Sequence, residues 1–158
     1  MRAASIGDIV KLRNPVATRP WQHVLEPLSG YLQLAQSLHS DLGLHGQPFN
    51  FGPSANQNYS VGDLVTEMAS YWNNCQWQDV SEEYGGPYES GLLKLNCDKA
   101  LHKLRWRAVW SFEDTTKETT LWYKRFYEDK ARDMTNYSLS QIDSYCSRAN
   151  ELDLVWAN

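Results

Sequence analysis

A chain of 158 residues can bury about 68–70% of the surface its unfolded form exposes, enough for one packed domain. Its 42% apolar and 13% aromatic content excludes the composition of intrinsic disorder. A net charge of −4 excludes the basic face of a nucleic-acid-binding domain, and no apolar run approaches the ~18 residues of a membrane span.

The amino terminus lacks the charged-then-apolar pattern of a secretion signal. Cys75, Cys97 and Cys146 are odd in number and share no CxxC or metal-like spacing. A soluble, cytoplasmic protein with reduced thiols is therefore expected. Cys97 and His102 are too few for a zinc site, and no repeat or low-complexity tract is present.

In chain order, GDIVKL at 7–12 predicts a short strand and TRPWQHV at 18–24 a second extended piece. From Val24 a helix is predicted, with Leu25, Leu28, Leu32, Ala35 and Leu38 on one face and Pro27 in the first turn, where its missing N–H costs nothing. It should stop near SDLGLHG at 40–46. QPFNFGP at 47–53 alternates Phe49 and Phe51 between turn formers, the pattern of a short buried strand.

Ser60 followed by Asp63 predicts a capped helix start, with Val61, Leu64, Val65, Met68 and Trp72 as its apolar stripe. Residues 73–91 are rich in Asn, Gly and Glu, are broken by YGGPYESG, and predict loop with the least order in the chain. A short helix is predicted around Cys97 to Leu104. KLRWRAVW at 103–110 then predicts a half-buried extended segment with Lys103, Arg105 and Arg107 on its solvated face. Ser111 with Asp114 starts a long helix to about Glu128. Ser138 with Gln141 starts another, carrying Leu139, Ile142, Tyr145, Ala149 and Leu152.

The inventory holds two or three apolar-faced strands without hairpin signals, and strands need neighbours. Either they pair with each other across the helices, or the rest of their sheet lies on sequence this chain does not contain. Catalytic templates are absent. GPSAN at 52–56 lacks the closing glycine of G-x-S-x-G, and there is no H-E-x-x-H and no Walker loop. Glu82 and Glu83 are adjacent rather than facing, as in a solvated loop.

Four blocks, RNPVATRPWQHVLEPLSGYLQLAQSL, FNFGPSANQNYSVGDLV, ESGLLKLNCDKALHKLRWR and SLSQIDSY, starting at Arg13, Phe49, Glu89 and Ser138, resemble in the same order the carboxy-terminal half of the CDP-glucose 4,6-dehydratases. These are a subfamily of the extended short-chain dehydrogenases. Other members of that superfamily carry an Asp where Pro20 stands, so the first block points to the subfamily. The implied fold class is α/β: the carboxy-terminal part of an extended short-chain dehydrogenase, Rossmann-type fold, mostly helical with a few short strands. Residues 1–55 would end the Rossmann-type domain and carry a sugar-nucleotide-binding loop, and residues 56–158 would form a small, mainly helical substrate-binding domain.

The resemblance implies a CDP-sugar ligand, with Arg19 aligned on the arginine that contacts the sugar nucleotide's pyrophosphate. A guanidinium suits that task because its planar fork matches phosphate oxygens and is always charged; without the resemblance Arg19 would read as a surface ion pair. Trp21 and His23 share a face with Arg19 on period-two spacing. They are either pocket walls or, respectively, core and a structural hydrogen-bonding residue. Arg13, Asn14 and Glu89 fall in blocks shared with the subfamily and are further substrate-binding candidates, although Tyr88, Gly91 and Leu92 depart from its pattern.

In the intact family NAD takes a hydride from C4 of the glucose, water is eliminated across C5 and C6, and the hydride returns to C6. That reaction uses a Gly-rich turn and a Tyr-x-x-x-Lys pair, and this sequence has neither: none of its nine tyrosines is followed by lysine at the fourth position. The resemblance thus implies a carboxy-terminal portion that binds no NAD on its own. It would need a missing amino-terminal half or a homo-oligomer, and PFNFGP and the Leu25, Leu28, Leu32 stripe would be left without packing partners. A module pairing with a separate Rossmann polypeptide, or a nonfunctional remnant, are the alternatives.

Overall fold

The computed structural model describes residues 1–83, 90–128 and 133–157. Six helices occur among them: α1 (Arg2–Ser5), α2 (Leu25–Ser40), α3 (Val61–Tyr71), α4 (Asp98–Leu104), α5 (Phe112–Glu128) and α6 (Thr135–Glu151), with short 3-10 turns at Leu42–Leu44, Ser81–Glu83 and Val155–Ala157. The strands are β1 (Val10–Leu12) and β2 (Trp77–Asp79), paired in parallel with Val10 opposite Trp77. The chain is mostly helical with a small parallel sheet.

Two helix starts follow from local sequence. Ser60 Oγ accepts from Asp63 N at 3.0 Å while Asp63 Oδ2 accepts from Ser60 N at 2.8 Å, a reciprocal box that satisfies two otherwise orphaned donors. Ser111 and Asp114 repeat it at the start of α5. The expectation for α6 needs correction. It begins at Thr135, where Asp133 Oδ1 accepts from Thr135 N, and Ser138 and Gln141 are spent instead on α5, taking Trp122 Nε1 and reaching Glu118 O.

The sheet also differs from expectation. β1 pairs with β2, which lies inside the segment read as loop, and residues 47–53 form no strand. Phe51 is nevertheless buried, edge-on to Trp106 at 4.9 Å and to Tyr31 at 5.6 Å. Its packing comes from α2 and the 105–110 segment rather than from a ladder, so Phe51 keeps partners that the sequence reading expected it to lose. Within 18–24 only Thr18 makes ladder-like bridges, antiparallel to Ser60 and parallel to Leu92.

Helix α2 is rotated from its predicted face. Glu26, Ser29, Gly30 and Gln33 point inward, whereas Leu28 is 46% and Leu32 73% exposed, beside exposed Val24 and Tyr31. The inward face is small and polar because of what it meets. A Cβ on Gly30 would run into the Phe51 ring, and Glu26 accepts from Val109 N at 3.0 Å, Trp110 N at 2.8 Å and the Tyr145 hydroxyl at 2.8 Å. Ser29 Oγ accepts from Trp106 Nε1 and shares a bond with the Tyr145 hydroxyl. Unpaired buried polar groups are costly, so this network fixes α2, α6 and residues 106–110 as one body. Around it pack Leu44, Phe51, Ala100, Leu104 and Trp106 on one side and Val109, Trp110, Ala149 and Leu154 on the other, with Trp156 touching both groups.

Of the segment 103–110 expected to be extended, Lys103 and Leu104 instead complete α4; beyond them Arg105 and Arg107 are exposed, while Trp106, Val109 and Trp110 are buried. The reversal out of α4 is made by Arg105 in the left-handed region, at φ 55°.

Candidate functional site

Three segments remote in sequence meet at Arg19. Thr18 N donates to Gly91 O at 2.8 Å, Leu93 N donates to Thr18 O at 3.3 Å, and on the other side Val61 N donates to Ala17 O at 2.9 Å. Gly62 N also reaches Pro15 O at 2.8 Å, and a Cβ at Gly62 would sit 3.2 Å from that oxygen, so α3 seats closely on the 15–17 turn. Residues 17–19 are thereby held between 59–62 and 91–93. The Arg19 guanidinium donates from Nη1 to Thr18 O at 2.8 Å and Ser90 O at 3.1 Å.

Arg19 and Pro20 wall a narrow cleft of about 10 Å3, with Pro53, Ser54, Ala55, Gln57, Asn58, Leu93, Lys94 and Leu95 around it. Across the seam of Ser54, Ala55, Gln57 and Lys94 lies a wide groove of about 580 Å3 that runs along Asn96 and Asp98 to Arg107 and Ser111. The Ser54–Gln57 turn, closed by Gln57 N donating to Ser54 O at 2.9 Å, supplies hydroxyl and amide groups to both. Among the described lining residues Ser54, Gln57 and Asn58 can donate neutral hydrogen bonds, Arg19, Lys94 and Arg107 carry positive charge, and Asp98 carries negative charge and accepts from Asn96 at 3.3 Å. Such a lining suits an elongated anion.

The predicted site residues do not all converge there. Trp21 stays near Arg19: its indole N–H donates to Tyr59 O at 3.1 Å, and Arg19 N donates to the same oxygen at 3.4 Å. Tyr59 is held in turn by its ring stacked on Phe112 at 3.7 Å. Trp21 thus braces the loop and is absent from the lining of either depression. Arg13 is exposed, Asn14 is half-buried, and neither lines the cleft or the groove. Glu89 lies outside the described residues.

His23 faces elsewhere. It borders a separate, largely apolar cavity of about 510 Å3 with Val24, Leu25, Trp122, Tyr123, Gln141 and Ile142. Its ring is edge-on to Trp110 at 4.8 Å, and Nδ1 accepts from Leu25 N at 3.3 Å. Burial pulls its pKa down to about 4. At neutral pH His23 is therefore an uncharged imidazole with its proton on Nε2, a hydrogen-bonding group rather than a cation for phosphate. Lys94, Ser54, Gln57 and Asn58 were missed as candidates. Each has an ordinary polar side chain, and only the tertiary apposition of 19–20, 53–58 and 93–98 brings them together.

Among the described helices, α3, α5 and α6 present Asp63, Asp114 and Asp133 at their starts, and α2 opens on buried Glu26. Among the described residues no group of His, Cys, Asp and Glu is placed to hold a metal, and no helix is long and apolar enough to cross a membrane.

No protein-family model matches the chain. Over 148 residues, 93% of its length, it is 36% identical to the CDP-glucose 4,6-dehydratase of Salmonella typhimurium. It spans 40% of that relative's length.

Proposed function

We propose that the chain binds a nucleoside-diphosphate sugar, CDP-glucose, with the diphosphate at Arg19 and the remainder of the ligand along the groove toward Arg107. It is the sugar-nucleotide-binding portion of a CDP-glucose 4,6-dehydratase. The observation that carries this is Arg19 walling a cleft that shares Ser54, Ala55, Gln57 and Lys94 with a 580 Å3 groove, in a chain similar to such a dehydratase over 93% of the chain's own length.

Arg19 is preset for the task by its carbonyl bonds, so little side-chain freedom is lost when phosphate oxygens arrive. Ser54, Gln57 and Asn58 orient the ligand by neutral hydrogen bonds. Hydride transfer is no part of what these residues do: the sequence contains no Tyr-x-x-x-Lys pair. The chain alone is thus a binding lobe without turnover, and NAD-dependent dehydration requires groups from other polypeptide sequence. Pairing with a separate Rossmann polypeptide is the second reading, favoured by the exposed Val24, Leu28, Tyr31 and Leu32 face of α2.

Calorimetry with CDP-glucose tests the proposal. Binding by the wild-type chain and a loss of about 1.5–3 kcal/mol in Arg19→Ala are the expected results. An Arg19→Ala chain that binds as tightly as wild type removes Arg19 from the site.

A further inference from the structure

We propose that Lys94 is a second phosphate-binding cation of the groove, exchanging a main-chain carbonyl for a diphosphate oxygen when ligand enters. The inference rests on the nucleotide-sugar reading and adds to it the residue that holds the far phosphate.

Lys94 lies on the seam: it lines both the narrow cleft with Arg19 and the wide groove. A ligand anchored at Arg19 and extending along the groove must pass its side chain. The ammonium donates to Ala55 O at 3.4 Å, beyond the 2.7–3.2 Å of a good N–H···O bond. That contact is weak and readily exchanged, and an ammonium has three donors to offer.

Charge balance points the same way. Among the described residues, the lining of the narrow cleft includes Arg19 and Lys94 and no carboxylate. Among its described residues the wide groove sets Lys94 and Arg107 against Asp98. One guanidinium cannot match the charge of a diphosphate, which carries two or more negative oxygens; a second cation on the ligand's path can.

The test uses Lys94→Met, which keeps the aliphatic stem and removes the charge, and Lys94→Arg, which keeps the charge. Thermal melting verifies that both fold, as expected for an exposed side chain. Calorimetric titrations with CDP, CMP and inorganic pyrophosphate follow at low and high salt. The proposal expects Lys94→Met to lose about tenfold in CDP and pyrophosphate affinity, less for CMP, with a shallower salt dependence, and Lys94→Arg to retain most of the affinity. CDP bound equally by wild type and Lys94→Met overturns Lys94 and leaves the nucleotide reading intact. Lys94-dependent pyrophosphate binding without any CDP-glucose binding upholds Lys94 and overturns that reading. A wild-type chain that binds neither CDP nor pyrophosphate overturns both.

Discussion

Replacing Glu26 by alanine removes the acceptor that joins three parts of the fold. Glu26 is 1% exposed; its carboxylate takes Val109 N, Trp110 N and the Tyr145 hydroxyl, the amides at 3.0 and 2.8 Å. The hydroxyl keeps Ser29 as a partner at 2.9 Å, but the two amides are left buried and unpaired, at about 1–3 kcal/mol each. The expected loss is about 3–5 kcal/mol, a large part of the 5–15 kcal/mol typical of a domain. With a urea m-value of about 2 kcal/mol per M, the midpoint falls by roughly 1.5–2.5 M without a change in slope. Glu26→Gln keeps the volume and one acceptor and should fall between wild type and alanine.

The pH dependence has a definite sign. Burial raises the Glu26 pKa above its ordinary 4.5, against the opposing pull of its hydrogen bonds. Its contribution is fully present below about 4.5 and is lost as pH rises through the folded value. The gap between wild type and Glu26→Gln is accordingly widest at acid pH and narrows upward. A Glu26→Ala chain with the wild-type urea midpoint would refute the reasoning.

Two other perturbations probe the fold. His23 is held neutral by burial, with its pKa pulled from 6.5 to about 4, so its contribution is present above about 6.5 and is lost as pH falls through 4. Titration of His23 should cost about 3 kcal/mol over that interval, read as the loss of wild-type stability relative to His23→Gln; an identical pH dependence in the variant counts against it. The exposed α2 face predicts self-association and binding of a hydrophobic dye. Glu in place of both Leu28 and Leu32 should reduce each, in sedimentation velocity and dye fluorescence, with little change in stability; unchanged sedimentation would show that this face is not what associates.

What the sequence disclosed was local. The Ser60–Asp63 and Ser111–Asp114 boxes lie within four residues, so the starts of α3 and α5 were legible, as was the alternation that buries Trp106 and exposes Arg105 and Arg107. The inward face of α2 was not, because apolar periodicity assumes an apolar partner and α2 meets amides and a hydroxyl from residues 109, 110 and 145. β2 was hidden for a similar reason: WQD has no strand signal of its own, and its pairing with β1 spans the intervening helices. Arg19 was found through resemblance to a family. Lys94 and the Ser54–Gln57 turn emerged only once the fold set them beside it.

The central claim is that the groove running from Arg19 past Lys94 is where a CDP-sugar binds. Amide and side-chain NMR of the labelled chain titrated with CDP-glucose tests it most directly. The account predicts saturable shifts at Arg19, Ser54, Gln57, Lys94 and Asn96, with His23, Trp122 and Gln141 unmoved. Shifts confined to the His23 cavity, or none at all, would contradict it.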